Sequence, residues 1–180
     1  MAMLNRRKYS DKELNKILSK ENIVILVDSR EKANKHILDV FDKEGIQYRV
    51  TALESGDYTF ELKAIPELDI PHNMDFRQDV MIERKNSLDE ISGNFTKGRE
   101  RFNDEFGRAW AVKKYLLIED GSYEKILNHD YRTDYNSSSF FASLLSFDAR
   151  YNLHICFASK ETSAILIYNI CKYALREILK

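Results

Sequence analysis

The segment from Asp79 to Glu90, DVMIERKNSLDE, carries the residue types best suited to chemistry. Val80, Met81 and Ile82 form a short apolar run of the kind a strand buries on both faces, and it stops at three consecutive charges, Glu83, Arg84 and Lys85. Side chains alternate along a strand, so Glu83 and Lys85 are expected on one face and Arg84 on the other. An acid that can hold a divalent cation, beside an ammonium that can steady developing negative charge, is the equipment of metal-assisted phosphodiester hydrolysis. Two further strand ends present acids: Asp28 follows the run Ile23 to Val27, and Asp57 heads the alternating stretch Asp57 to Leu62. Strands of one sheet can bring Asp28, Asp57 and Glu83 together. Singly, a Glu-Arg-Lys triplet is usually a solvated charge run and a Gly-Asp pair a turn, so the reading rests on their ordered combination.

The elements that must position these groups follow from periodicity. Ser10 to Glu13 is a capping box, and Leu14, Ile17 and Leu18 continue it as a short amphipathic helix up to Lys20. Its basic lead, Arg6, Arg7 and Lys8, reads as a solvated terminus, so residues 1–21 form an arm ahead of one domain over 22–180. Ile23 to Val27 is a buried strand, Lys32 to Glu44 a helix stopped by Gly45, and Ile46 to Leu53 the next strand. Lys63 to Gln78 holds both prolines of the chain, Pro66 and Pro71, and is expected to be a long hairpin loop, either hanging over the substrate or decorating the surface. After the turn-prone Ser92 to Asn94, a helix is expected from Gly98 to Val112, and Lys97, Arg99 and Arg101 at its start form the best local basic cluster, a candidate for phosphate contact. Tyr115 to Ile118 and Leu153 to Phe157 read as strands. Ser122 to Leu127 suggests one or two helical turns, and Asn136 to Arg150 and Thr162 to Leu179 are longer helices. The last is apolar over much of its circumference, which requires burial in the core or against a second subunit.

Composition narrows the possibilities. With 180 residues, 43% hydrophobic and 32% charged, the chain suits one globular domain with a substantial core. The formal charge of −1 gives no global attraction to nucleic acid, so any phosphate contact must be local. Cys156 and Cys171 make no close pair and the histidines (His36, His72, His129, His154) are scattered, which argues for a reducing compartment and against a zinc site. The opening residues have no apolar signal-peptide core, and no run reaches membrane-spanning length, so a soluble protein is expected.

Taken in order, VDSRE (Val27 to Glu31), ESGDY (Glu54 to Tyr58) and IERKNSLDE (Ile82 to Glu90) resemble the nuclease domain of the XPF family of structure-specific DNA endonucleases. Gly98 with Arg99, and YLLIED (Tyr115 to Asp120), extend the resemblance over nearly the whole chain from Ile23. The resemblance implies an α/β restriction-endonuclease-like fold, a mixed central sheet flanked by helices. It also implies a metal-dependent endonuclease that cuts DNA near branches, flaps or forks. Carried over, it makes Asp57 and Glu83 metal-binding acids, with the Arg84 carbonyl a further ligand and Asp28 a third acid of the metal site. Hard oxygen donors suit Mg²⁺, with Mn²⁺ as substitute. Lys85 matches the lysine that orients the attacking water, Arg30 either pairs with the acids or holds the phosphate, and Arg84 and Asp89 support the site. Two departures stand out: no tandem helix-hairpin-helix domain follows, and the segment Lys63 to Gln78 is longer than the family's usual turn. The alternative is a catalytically idle subunit that binds DNA or scaffolds a nuclease complex. DNA is the expected partner, together with a second subunit, as homodimer or heterodimer through the C-terminal helices. The compact chain favours the cytoplasm of a bacterium or of a phage-infected cell over a nucleus.

Overall fold

The computed structural model describes residues 8–180, and the expected basic positions Arg6 and Arg7 lie outside the described residues. Strand β1 (Ile23–Asp28) is buried along its whole length. Helix α2 (Lys35–Glu44), closed by Gly45 in the left-handed conformation, returns the chain to β2 (Tyr48–Thr51), parallel to β1. Then β3 (Tyr58–Leu62) runs antiparallel to β1 and to β5 (Val80–Lys85), and β6 (Lys113–Glu119) and β7 (Leu153–Ala158) extend the sheet in parallel from β5. The path is β2-β1-β3-β5-β6-β7, and a two-residue strand β4 (Met74–Asp75) branches onto β3.

Each face of this mixed sheet buries its own apolar cluster. Ile23, Ile25 and Val27 of β1, Tyr58, Phe60 and Leu62 of β3, and Val80 and Ile82 of β5 face one way, where they pack with α1 (Asp11–Ile17), α2 and α7 (Ser163–Ile178). Met81 of β5 and Leu116 and Ile118 of β6 face the other way, against α3 (Leu88–Thr96), α4 (Arg99–Arg108), α5 (Tyr123–Leu127) and α6 (Ser137–Tyr151). The apolar side of α7 is largely consumed by its own core: Ala164, Ile167, Cys171, Ala174 and Leu175 are buried, whereas Ile165 and Tyr173 remain exposed.

Four expectations are corrected. Residues 63–78 do form a hairpin connection, with β4 turning back antiparallel onto β3, but not one that lies only on the surface: Ile65, Leu68, Ile70 and Phe76 are buried in the first cluster, a 3₁₀ turn spans Pro66–Leu68, and the Phe76 ring stacks on Phe60 at 4.6 Å. This segment fills a fork. Strands β3 and β5 pair in register only at Tyr58 and Ile82, and further along β3 the place of β5 is taken by β4. The supposed turn at Ser92 to Asn94 lies inside α3, whose cap is Ser87, accepting from the Glu90 N–H at 3.2 Å, and whose buried side is Leu88, Ile91, Ser92 and Phe95. Helix α4 ends at Arg108 rather than Val112, and β2 is shorter than its apolar run suggested.

Candidate active site

The acids form a row because of strand register. Val27 lies opposite Tyr58 and Tyr58 opposite Ile82, so one step further Asp28, Asp57 and Glu83 are lateral neighbours on three adjacent strands. Neighbours across a sheet point to the same face, here the face of α3 and α4. Backbone bonds fix the row: the Asp28 N–H donates to the Asp57 carbonyl at 2.8 Å and the Asp57 N–H to the Ile82 carbonyl at 2.9 Å. Gly56 lets the chain come this close, because a Cβ there would lie 2.6 Å from Met81 Cγ and 3.1 Å from the Ile82 carbonyl oxygen, and its φ of 72° disfavours other residues.

Lys85, two residues past Glu83, donates from Nζ to Glu83 Oε1 at 2.6 Å and lies 5.1 Å from the centre of the Phe102 ring. Burial works to lower the pKa of its ammonium, but Glu83, with Asp57 and Glu90 nearby, more than offsets this and holds it above the ordinary lysine range. Arg84 points through the sheet. Its guanidinium donates to Glu119 Oε2 at 2.6 Å and approaches Glu31 Oε1 at 3.4 Å, while its backbone N–H donates to Asp57 Oδ2 at 2.7 Å. Glu119, fully buried at the end of β6, also accepts from the Ser163 hydroxyl at 2.6 Å and lies 2.8 Å from His36 Nε2. Burial alone would raise its pKa, but Arg84, Ser163 and His36 together bring it down to about 2. The role of Glu119 was not read from the sequence. Its signal was the alternation of β6, which puts Leu117 and position 119 on the face of Arg84.

The row opens into a cleft of about 410 Å³. Asp28, Arg30, Asp57, Glu83, Arg84, Lys85 and Arg101 all contribute to its wall, joined by Glu31, Glu90, Asn94 and Glu105, which the motif reading passed over. Arg30 is spent on Asp28: its Nε lies 3.0 Å and its Nη2 2.5 Å from Asp28 Oδ2, and Nη2 also reaches the Leu53 carbonyl at 2.8 Å. Burial raises the Asp28 pKa, but Arg30 brings it below the usual carboxylate value. Asp89 does not reach the cleft. Its carboxylate binds the Arg132 N–H at 2.6 Å and Arg132 Nε at 2.7 Å, tying α3 to the segment before α6. Lys97 and Arg99 are exposed and line neither the cleft nor the groove beside it.

A divalent cation suits this arrangement. Glu83 Oε2 is buried without a hydrogen-bond partner, and only one oxygen of Asp57 accepts a bond among the described residues. Burial lifts the Asp57 carboxyl to about 7, and burial together with Asp57 lifts Glu83 well above the glutamate range. Two adjacent acids that cannot both ionise cheaply, one of them with a buried hard oxygen left without a partner, form a donor set of the kind a divalent cation takes. No three acid, histidine or cysteine side chains form a closed metal cage among the described residues, consistent with the engagement of Asp28 by Arg30.

Comparison with known proteins fits this geometry. The model of the ERCC4 domain matches residues 27–170. The chain belongs to the ERCC4 domain family. Solved structures similar to this ERCC4 domain include XPF from Aeropyrum pernix, at 17% identity and a TM-score of 0.61, covering 86% of this chain and 69% of that one. A second is XPF from Aeropyrum pernix in complex with DNA, at 16% identity and a TM-score of 0.60, covering 86% and 66%. These matches share with the ERCC4 domain its central mixed sheet flanked by helices. Among curated protein sequences nothing matches.

Proposed function

We propose that this ERCC4 domain is a divalent-metal-dependent endodeoxyribonuclease that hydrolyses phosphodiester bonds near branches, flaps or forks in DNA. The observation that carries the reading is the row Asp28, Asp57, Glu83 with Lys85 beside it, one carboxylate oxygen left without a partner, in a cleft that arginines also line. Family membership supports it independently. Asp57 and Glu83 would hold Mg²⁺ or Mn²⁺, with the Arg84 carbonyl and Asp28 as further donors. When bound, the ion supplies a lowered water pKa and a counter-charge for the phosphate.

The chain's own residues do the rest. The Arg84 N–H fixes the rotation of the Asp57 carboxyl. Lys85, kept positive by Glu83, donates hydrogen bonds that hold a water in line with phosphorus and meets the charge growing on the phosphate oxygens. Arg30, with most of its side chain in solvent, holds a phosphate oxygen at the mouth of the cleft while its Nε and Nη2 stay on Asp28. The ERCC4 domain also self-associates or pairs with a related subunit through its C-terminal helices, supported by Leu145 on α6 and by Ile165 and Tyr173 on α7, which remain exposed. A single monomer mass in sedimentation at micromolar concentration removes that part.

The deciding assay offers flaps, forks, junctions and linear duplex with Mg²⁺, Mn²⁺ or chelator. Wild type nicks branched DNA with metal only, and Asp57→Ala and Lys85→Ala stay folded and lose at least about a hundredfold in rate. Retained cutting by Asp57→Ala overturns the mechanism. A wild type that binds neither ion in calorimetry favours the idle scaffolding subunit.

A further inference from the structure

Past Arg30 and Glu105 the cleft continues into a second groove of about 450 Å³. Arg30, Arg101 and Glu105 line both, so the two are one path along the surface. The far part is walled by Arg77 ahead of β5, by Arg101 and Arg108 on α4, and by Trp110 just beyond that helix. Trp110 is the chain's single tryptophan and is 86% exposed. Arg108 gives one donor to the Asp104 carbonyl at 3.1 Å, and neither it nor Arg101 makes an ion pair among the described residues. Arg77 meets Asp75 at 3.2 Å, a half-exposed contact of little energetic weight. Against four guanidinium groups stand the carboxylates of Glu54 and Glu105.

We infer that this groove takes an unpaired strand of the DNA substrate, with a base stacked on Trp110 and flanking phosphates on Arg101 and Arg108. An indole ring held open to solvent offers a flat face to a base, and only a base outside a duplex has a free face to give in return. Arg101 and Arg108 lie two turns apart on one side of α4, roughly 10 Å, so two arms reach for separate phosphates of one strand. The sequence hid this site because its parts come from four segments, and the cluster visible by adjacency, Lys97, Arg99 and Arg101, contributes only its last member. The inference rests on the nuclease reading for the identity of the strand, and it deepens that reading by assigning the unpaired arm of a flap or fork to this groove.

Trp110 is its own reporter. The full chain is titrated in chelator with a short oligothymidylate, the matching oligouridylate, a blunt duplex and a forked duplex, following tryptophan fluorescence. The oligothymidylate and the fork quench it and the blunt duplex does not. With labelled oligothymidylate, Trp110→Ala weakens binding about tenfold and Trp110→Phe restores most of it. Arg101→Gln and Arg108→Gln each reduce the salt slope by about 0.7. Equal quenching by blunt duplex, or oligothymidylate binding with no quenching, overturns the inference, and tighter oligouridylate binding reassigns the groove to RNA and overturns it as stated. The two readings fail separately: a chain that quenches but never nicks keeps the groove and loses the nuclease, whereas a chain that nicks branched DNA without quenching loses the groove alone.

Discussion

Arg84 and Lys85 are consecutive on β5 and almost equally buried, yet the two faces they serve are in opposite electrostatic condition. On the Arg84 face, Glu119 collects donors from Arg84, His36 and Ser163 and is held far below its usual pKa. On the Lys85 face, Glu83 keeps an oxygen without a partner, and both it and Asp57 are driven upward. On one face the carboxylate is saturated with donors, even though Arg84 Nε is buried without a partner, while the other face is incomplete and stores electrostatic cost where a cation and a phosphate are proposed to meet. The Arg84 face also steadies the incomplete one, since Arg84 anchors its side chain on Glu119 and gives its backbone N–H to Asp57.

The comparison is broken most severely by Glu119→Ala, which leaves the buried Arg84 guanidinium with only the long contact to Glu31. Denaturant unfolding should show a loss of about 3–5 kcal/mol. The pH dependence separates the faces next. Glu119 drops from 4.5 to about 2, so its contribution, of order 2–3 kcal/mol, is complete above pH 4.5 and disappears as the pH falls toward 2. Asp57 rises from 3.8 to about 7, so the folded chain binds that proton more tightly and stability declines as the pH rises from about 4 to about 7. In chelator, thermal melts should therefore decline in both directions, and Asp57→Asn should shrink the neutral-side decline while leaving the acid side in place.

Cation addition sharpens the same contrast. Mg²⁺ or Mn²⁺ at a hundred times its dissociation constant should stabilise the chain at pH 7 by about 2.7 kcal/mol, and Glu83→Gln should remove most of that gain. The smallest effect is expected from Ser163→Ala, which takes one donor from Glu119 and should cost about 1–2 kcal/mol in the same unfolding assay, with nicking retained.

Much of this was readable in the amino-acid order, because three short apolar or alternating runs, rich in residues that favour strands, each adjoin an acid, and their ordered combination points to strand tips. The tips at Asp28, Asp57 and Glu83 gave the row, and alternation put Arg84 and Lys85 on different faces. Glu119 escaped notice for the same reason: an acid at a strand tip looks alike whether it faces a cleft or a buried arginine, and only the packing of α2 and α7 distinguishes them. Helix α3 was obscured by Ser92, Gly93 and Asn94, residues common in turns, although Ser87 and Glu90 already stood at capping spacing ahead of Ile91 and Phe95. Residues 63–78 misled through their prolines, whereas Ile65, Leu68, Ile70 and Phe76 show that a proline-bearing connection can be part of the core.

The branch point between β3 and β5 lies next to two carboxylates of the row, and it is filled by residues 63–78. Asp57 and Glu83 lie one step past the Tyr58–Ile82 pair, away from the fork, and Phe76 stacks on Phe60 inside the fork on the opposite face of the sheet. If the proposed ion sits between these two carboxylates, trimming or enlarging that one ring is expected to shift the preference between Mg²⁺ and the larger Mn²⁺, with both acids left chemically untouched.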